Sequence, residues 1–192
     1  VASDKEHAAQ YQTVLDNIMN PSVSNGKNGH YYMWRSGYDS HMRDGYGVNI
    51  KMDSRNLIGG EWRGSWTGED KGQLIYWTSS AASTITIDGD EYTNVFAAYD
   101  WAHCPGTTTP NRIVQDYSNY GRFTNGTDHT IGATDGTYGS TAYLMNKKGT
   151  QAAKGYFFFD DEFVALGAGI KSTETTAIHT TLNQSEADGV KV

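Results

Sequence analysis

Between residues 3 and 19 the apolar side chains recur three and four positions apart: Ala8, Tyr11, Val14, Leu15, Ile18 and Met19 form one stripe. Ser3-Asp4-Lys5-Glu6 ahead of it has capping-box spacing, with an oxygen for an orphan amide and a Glu able to reach back. Asn20-Pro21 closes the segment, because proline drives its predecessor out of the α region. The spacing predicts one amphipathic helix of about four turns. Residues 22–29 read as a loop by composition, and from His30 onward the period changes. Short apolar and aromatic runs, punctuated by glycine, predict strands over 30–35, 46–52, 73–78, 83–87, 92–99, 113–117, 138–146, 156–159, 163–166 and 175–182. Thr84-Ile85-Thr86-Ile87 alternates strictly, as a strand with one wet face does. Asp88-Gly89, Asn125-Gly126 and Asp135-Gly136 are hairpin-type dipeptides. Ten or more strands at this spacing predict an all-β fold, a large sandwich or barrel, preceded by one N-terminal amphipathic helix.

Composition agrees. The chain has 192 residues, 37% hydrophobic and 12% aromatic, with 22 Gly against 3 Pro. That is one domain with enough apolar content for a core. The net charge of −7 argues against sequence-independent nucleic-acid binding. No run approaches the roughly 18 apolar residues of a membrane span. The start, Val1-Ala2-Ser3-Asp4, lacks a basic-then-apolar leader, so a signal peptide is expected to be absent or already removed. The single cysteine, Cys104, excludes an internal disulfide and reads as a small buried apolar group.

Candidate chemistry is sparse. Six histidines are scattered with no two at metal-ligand spacing, and no nucleophile-elbow, zinc-protease, Walker or dinucleotide motif is present. Asp160-Asp161-Glu162 follows an aromatic run; general acid/base or calcium chemistry ranks there behind an acidic turn after a buried strand. Gly59-Gly60-Glu61-Trp62-Arg63-Gly64-Ser65-Trp66 sets a carboxylate and a guanidinium among two indoles and flexible glycines. Such a set suits a saccharide, with rings stacking on its apolar face and charges taking hydroxyls or carboxylates. A glycine-bulged strand with core tryptophans is the equal alternative.

These residues, in their order, resemble the central domain of the family-eight polysaccharide lyases, which include hyaluronate, chondroitin AC and xanthan lyases. The resemblance runs from Arg35 to about Gln184. It rests on His41-Met42-Arg43-Asp44-Gly45-Tyr46 through Met52-Asp53-Ser54-Arg55, Gly60-Glu61, Asp90-Glu91-Tyr92 through Asp100-Trp101 to Pro105-Gly106-Thr107-Thr108, and Asp135-Gly136-Thr137-Tyr138-Gly139. The most distinctive block is Phe157-Phe158-Phe159-Asp160-Asp161-Glu162 with Leu166-Gly167-Ala168-Gly169-Ile170. The resemblance implies an antiparallel super-sandwich of galactose mutarotase-like type, flanked in the family by an N-terminal α/α toroid and a C-terminal β domain. Residues 1–20 would then be the toroid's last helix or a connector, 21–184 the sandwich, and 185–192 a tail or the start of the next domain. It implies β-elimination beside a uronic acid, with the proton-moving residues mainly on the toroid and the sandwich walling the cleft. Glu61 takes the place of the family's sandwich Glu, in an accessory role of orienting the catalytic set or binding substrate. Trp62, Arg63 and Trp66 are expected to contact substrate. The family's flanking Asn residues are Gly59 and Trp62 here, and its Gly-Asp-Gly becomes Gly68-Glu69-Asp70-Lys71-Gly72. Arg35, Arg43, Arg55 and Arg63 could form the local positive patch that an acidic polysaccharide needs against the −7 charge. The expected protein is secreted or cell-surface and bacterial, uses no cofactor or metal, and meets neither nucleic acid nor membrane. The isolated domain is expected to be inert, and the alternatives are a stand-alone carbohydrate-binding module or a purely structural sandwich.

Overall fold

The structure is a computed structural model, and it describes residues 4–19, 28–59, 76–112 and 124–186. One helix, α1 (Ala8–Met19), precedes ten strands: β1 (Gly29–Met33), β2 (Tyr38–Met42), β3 (Gly47–Met52), β4 (Ser80–Thr86), β5 (Thr108–Pro110), β6 (Thr130–Thr134), β7 (Gly139–Lys147), β8 (Thr150–Phe158), β9 (Phe163–Ser172) and β10 (Ile178–Thr180). Two four-stranded antiparallel sheets run in simple chain order, β1-β2-β3-β4 and β6-β7-β8-β9, and β5 pairs with β10 in a short ribbon. The sheets meet through Val48, Ile50 and Met52 of β3 and Tyr143, Met145, Ala152, Tyr156 and Phe158 of β7 and β8. Alternation explains which residues those are, because every second side chain of a strand faces the same way. The fold is all-β, as the periodicity predicts, and of the sandwich or barrel left open there it is the antiparallel sandwich that the resemblance implies.

Several local expectations change. The helix begins at Ala8 rather than residue 3, and Asp4 receives the His7 amide at 3.1 Å ahead of it. Residues 92–99 form turns and one 3-10 turn (Val95–Ala97) instead of a strand. Asn94 lies there at φ 60, a left-handed conformation that ends extension. Tyr76, Trp77 and Thr78 lie in a turn, so the described part of the 73–78 strand is not one; the 113–117 strand lies outside the described residues. Strands β2, β5 and β6 have no counterpart in the periodicity reading. Asp135-Gly136 does join β6 to β7, with Gly136 at φ 93, whereas Asn125-Gly126 joins no hairpin. Asn125 is instead buried, donating to the Leu144 carbonyl and accepting the Asn146 amide. Gly139 is required where the sheets approach: a Cβ there would sit 2.1 Å from the His30 ring.

Candidate functional site

Glu61, Trp62, Arg63 and Trp66 all lie outside the described residues, as do Gly60 and residues 68–72. The structure does show how the flanks of that stretch are held. Asp53, the residue after β3, is fully buried and accepts from the Tyr143 hydroxyl at 2.6 Å, Lys147 Nζ at 2.7 Å and Ser79 Oγ at 3.2 Å. Lys147 Nζ also donates to the Tyr76 carbonyl at 2.9 Å and to Ser80 Oγ at 3.0 Å, and it stands 4.7 Å over the Tyr76 ring. One ammonium thus ties the chain before the stretch to the first described residue after it. Burial lowers the Lys147 pKa and Asp53 opposes that; burial, then Asp53, raises that of Tyr143. A buried ion pair with every donor matched rigidifies its surroundings, and removing one partner typically costs about 3–5 kcal/mol. Beyond Asp53, Ser54 Oγ accepts the amides of Asn56 and Leu57. The Arg55 guanidinium reaches the Gly126 carbonyl at 2.7 Å, and its amide bonds the Thr127 carbonyl. The Met-Asp-Ser-Arg stretch is therefore fastened to β7 and to the approach to β6.

Asp160-Asp161-Glu162 forms the β8–β9 turn, closed by the Phe159 amide on the Glu162 carbonyl at 3.0 Å. Asp160 is taken by Arg43 Nε at 3.0 Å and by the Tyr138 hydroxyl at 2.8 Å. Tyr138, first, and Arg43 hold the Asp160 carboxyl below its usual range, which keeps it an acceptor where a general acid needs the opposite shift. A polar recess of about 450 Å³ opens here, lined by Asn28, Arg43, Asp44, Tyr46, Asp160 and Asp161. Among the described residues no three His, Cys, Asp or Glu side chains gather as a metal site needs.

The histidines, scattered along the chain, include a cross-strand pair. His30 and His41 are direct partners in the β1–β2 register, with rings 5.6 Å apart and both against Phe158. His30 Nε2 lies 3.2 Å from Asp39 Oδ1, and both side chains are fully buried. His41 Nε2 is 2.8 Å from the Phe159 carbonyl, and burial lowers its pKa. Sequence spacing cannot reveal such a pair, because only the strand register creates it. The arginines have separate partners: Arg35 stacks on Trp34, Arg43 binds Asp160, and Arg55 binds Gly126 beside Asp128. Arg63 lies outside the described residues. Cys104 is buried as expected, its thiol pushed up to about 11 by burial.

With this geometry in hand, the likeness to known proteins is specific. The family model described as polysaccharide lyase family 8, super-sandwich domain, matches residues 28–192. The chain is 34% identical over 165 residues to chondroitinase-AC of Pedobacter heparinus, covering 83% of this chain. It spans only 22% of that relative's length. A solved chondroitinase AC lyase, studied in oligosaccharide complexes, superposes with a TM-score of 0.80 at 31% identity, over 95% of this chain and 27% of that one. A Paenibacillus xanthan lyase shares the fold, with a TM-score of 0.70 at 23% identity over 88% of this chain and 16% of its own. The sandwich of β1–β10, with its Pro-Gly-Thr-Thr turn and its acidic β8–β9 turn, places the chain in polysaccharide lyase family 8, as a super-sandwich domain.

Proposed function

We propose that this chain serves as the central domain of a lyase that cleaves a uronic-acid-containing polysaccharide by β-elimination, and that it forms one wall of the substrate cleft. The family match over residues 28–192 carries the reading. β-Elimination requires three things: the uronate carboxylate neutralised, the C5 proton taken by a positioned base, and the leaving oxygen protonated. The C5–H bond breaks, its electron pair forms the new double bond, and the bond to the leaving oxygen breaks. In this reading Glu61 orients the proton-moving groups or binds substrate, and Trp62, Arg63 and Trp66 contact the polymer. The Asp53–Lys147–Tyr76 tie supports it by giving their segment fixed ends. The base and acid come from an α/α toroid in the same polypeptide, and a C-terminal β domain completes it. A polymeric substrate cannot enter a cell intact, which favours a secreted or cell-surface bacterial enzyme.

The test compares the full-length protein with the 192-residue chain on chondroitin, hyaluronan and xanthan, following absorbance of the unsaturated product. The full-length protein is expected to turn over one of them, and the 192-residue chain none. Glu61→Gln in the full-length protein should lower kcat by about 10²-fold or more, as loss of an electrostatic or positioning group does. Turnover by the 192-residue chain would show that the sandwich carries its own base. Glycan binding by that chain without turnover in the full-length protein would favour a carbohydrate-binding module instead.

A further inference from the structure

The outer face of the first sheet carries a groove of about 310 Å³. Its wall is three aromatic rings, of which Phe96 and Tyr99 lie in the 92–99 stretch where periodicity predicts a strand and Trp101 lies just beyond it. Phe96 sits on the 3-10 turn, and its side chain is 60% exposed. The Phe96 and Trp101 rings stack at 5.7 Å and 25°, Tyr99 meets Trp101 at 4.9 Å, and Phe96 meets Tyr99 at 5.8 Å. Each ring braces the other two, so their orientation is set before any ligand arrives.

The floor is polar. Val48, Ile50 and Met52 of β3 point into the core, so Asn49 and Lys51 face the other way, with Thr84 opposite Asn49 on β4. Among the described residues Lys51 is the one charged side chain of the lining, in a chain whose net charge is −7. Its Nζ donates to the Ser36 carbonyl at 2.6 Å and the Met52 carbonyl at 3.1 Å, which uses two of its three N–H bonds. A pyranose ring presents a C–H face to aromatic rings and hydroxyls at its edge; a uronate or sulfate adds an anion. Rings on one wall, an amide and a hydroxyl at the floor and, among the described lining residues, a single cation and no carboxylate match an acidic sugar on each count. We propose that this groove is a saccharide subsite, in which Phe96 and Trp101 stack on an acidic sugar unit of a polysaccharide and Lys51 binds its anionic group. The proposal deepens the polysaccharide reading above and rests on it for the ligand class.

The probe is a chondroitin hexasaccharide, titrated calorimetrically into the full-length protein at low and high salt, with maltohexaose as the neutral control. Phe96→Ala is expected to weaken chondroitin binding about tenfold, the size of one lost aromatic stacking contact. Phe96→Tyr should restore it. Lys51→Gln should weaken binding of the acidic oligosaccharide and flatten its salt dependence, since the attraction it removes is screened by ions. Phe96 is exposed, so Phe96→Ala should leave the unfolding midpoint unchanged. Unchanged affinity in both Phe96→Ala and Trp101→Ala, each shown to be folded, overturns the subsite, and so does equal binding of maltohexaose. Those results bear on the groove alone: a wild-type protein that binds the hexasaccharide through Phe96 but never cleaves it would sink the lyase reading and leave the subsite standing.

Discussion

Two lysines project into the core, and their surroundings differ. Lys147 meets Asp53 at 2.7 Å, whereas Lys154 donates to the Gly106 carbonyl and has no ion-pair partner among the described residues. Strand alternation puts Lys154 on the inner face of β8 between Ala152 and Tyr156, and burial pushes its pKa down to about 7. The sign follows from proton counting. Between about pH 7 and 10.5 the unfolded chain holds this proton and the folded chain does not, so stability rises with pH across that window. One such group contributes a slope of at most about 1.4 kcal/mol per pH unit. Lys147 is lowered in the same direction and adds to the slope. Tyr143 and Tyr156 are raised, so they oppose it once unfolded tyrosines ionise near pH 10. Urea unfolding measured from pH 7 to 9.5 is therefore expected to show rising stability in the wild type and a shallower rise in Lys154→Met. Parallel curves would mean that Lys154 stays charged in the fold. Nothing along the sequence marks this lysine, since Ala152-Ala153-Lys154-Gly155 becomes a core row only once β8 is paired on both sides.

At the scale of elements, α1 is the clearest reading from sequence and the least integrated piece of the structure. Its stripe of Tyr11, Val14, Leu15, Ile18 and Met19 is exposed, and no residue of the helix is buried. A helix of this length is marginal alone, because nucleation is costly and packing normally stabilises it. Removing residues 4–19 from the 192-residue chain should therefore shift the urea midpoint little, with a stability change below about 0.5 kcal/mol. A larger loss would place α1 against the sandwich. The hairpins follow a different logic. Asp135-Gly136 is readable because those residues tolerate positive φ, but Lys148-Gly149 joins β7 to β8 with both residues at positive φ, 50 and 77. A non-glycine residue in that conformation is held by the nine-residue strands on either side, and propensity alone does not find it. The 92–99 error has the opposite cause: its aromatic content mimics a strand, while Asn94 turns the chain.

At the scale of the whole molecule, the second sheet is apolar on both faces. Ile131, Ala142, Gly155 and Leu166 are successive partners across β6, β7, β8 and β9, so they form one outward row. Phe157 and Val164 pair in a parallel row, and Ile131, Leu144, Phe157, Val164 and Leu166 are all exposed. Such a face promotes association once charge repulsion is removed. With a pI of about 5.2, the 192-residue chain is expected to scatter light increasingly as pH falls from 8 toward that value. The double substitution I131K/L166E preserves net charge while breaking the row, and it should suppress the rise; unchanged scattering would exclude this face as its cause.

Periodicity and turn chemistry determined the all-β class, the lone helix, the buried Cys104 and the acidic turn, because these depend on neighbours within a few residues. Ordered local blocks spanning some 150 residues carried the family in the same way. Tertiary structure alone decided the His30–His41 pair, the Asp53–Lys147–Tyr76 tie, the buried Lys154 and the ring-walled groove. Each of these joins residues through strand register or sheet packing, and a one-dimensional pattern holds no record of which strands will face each other.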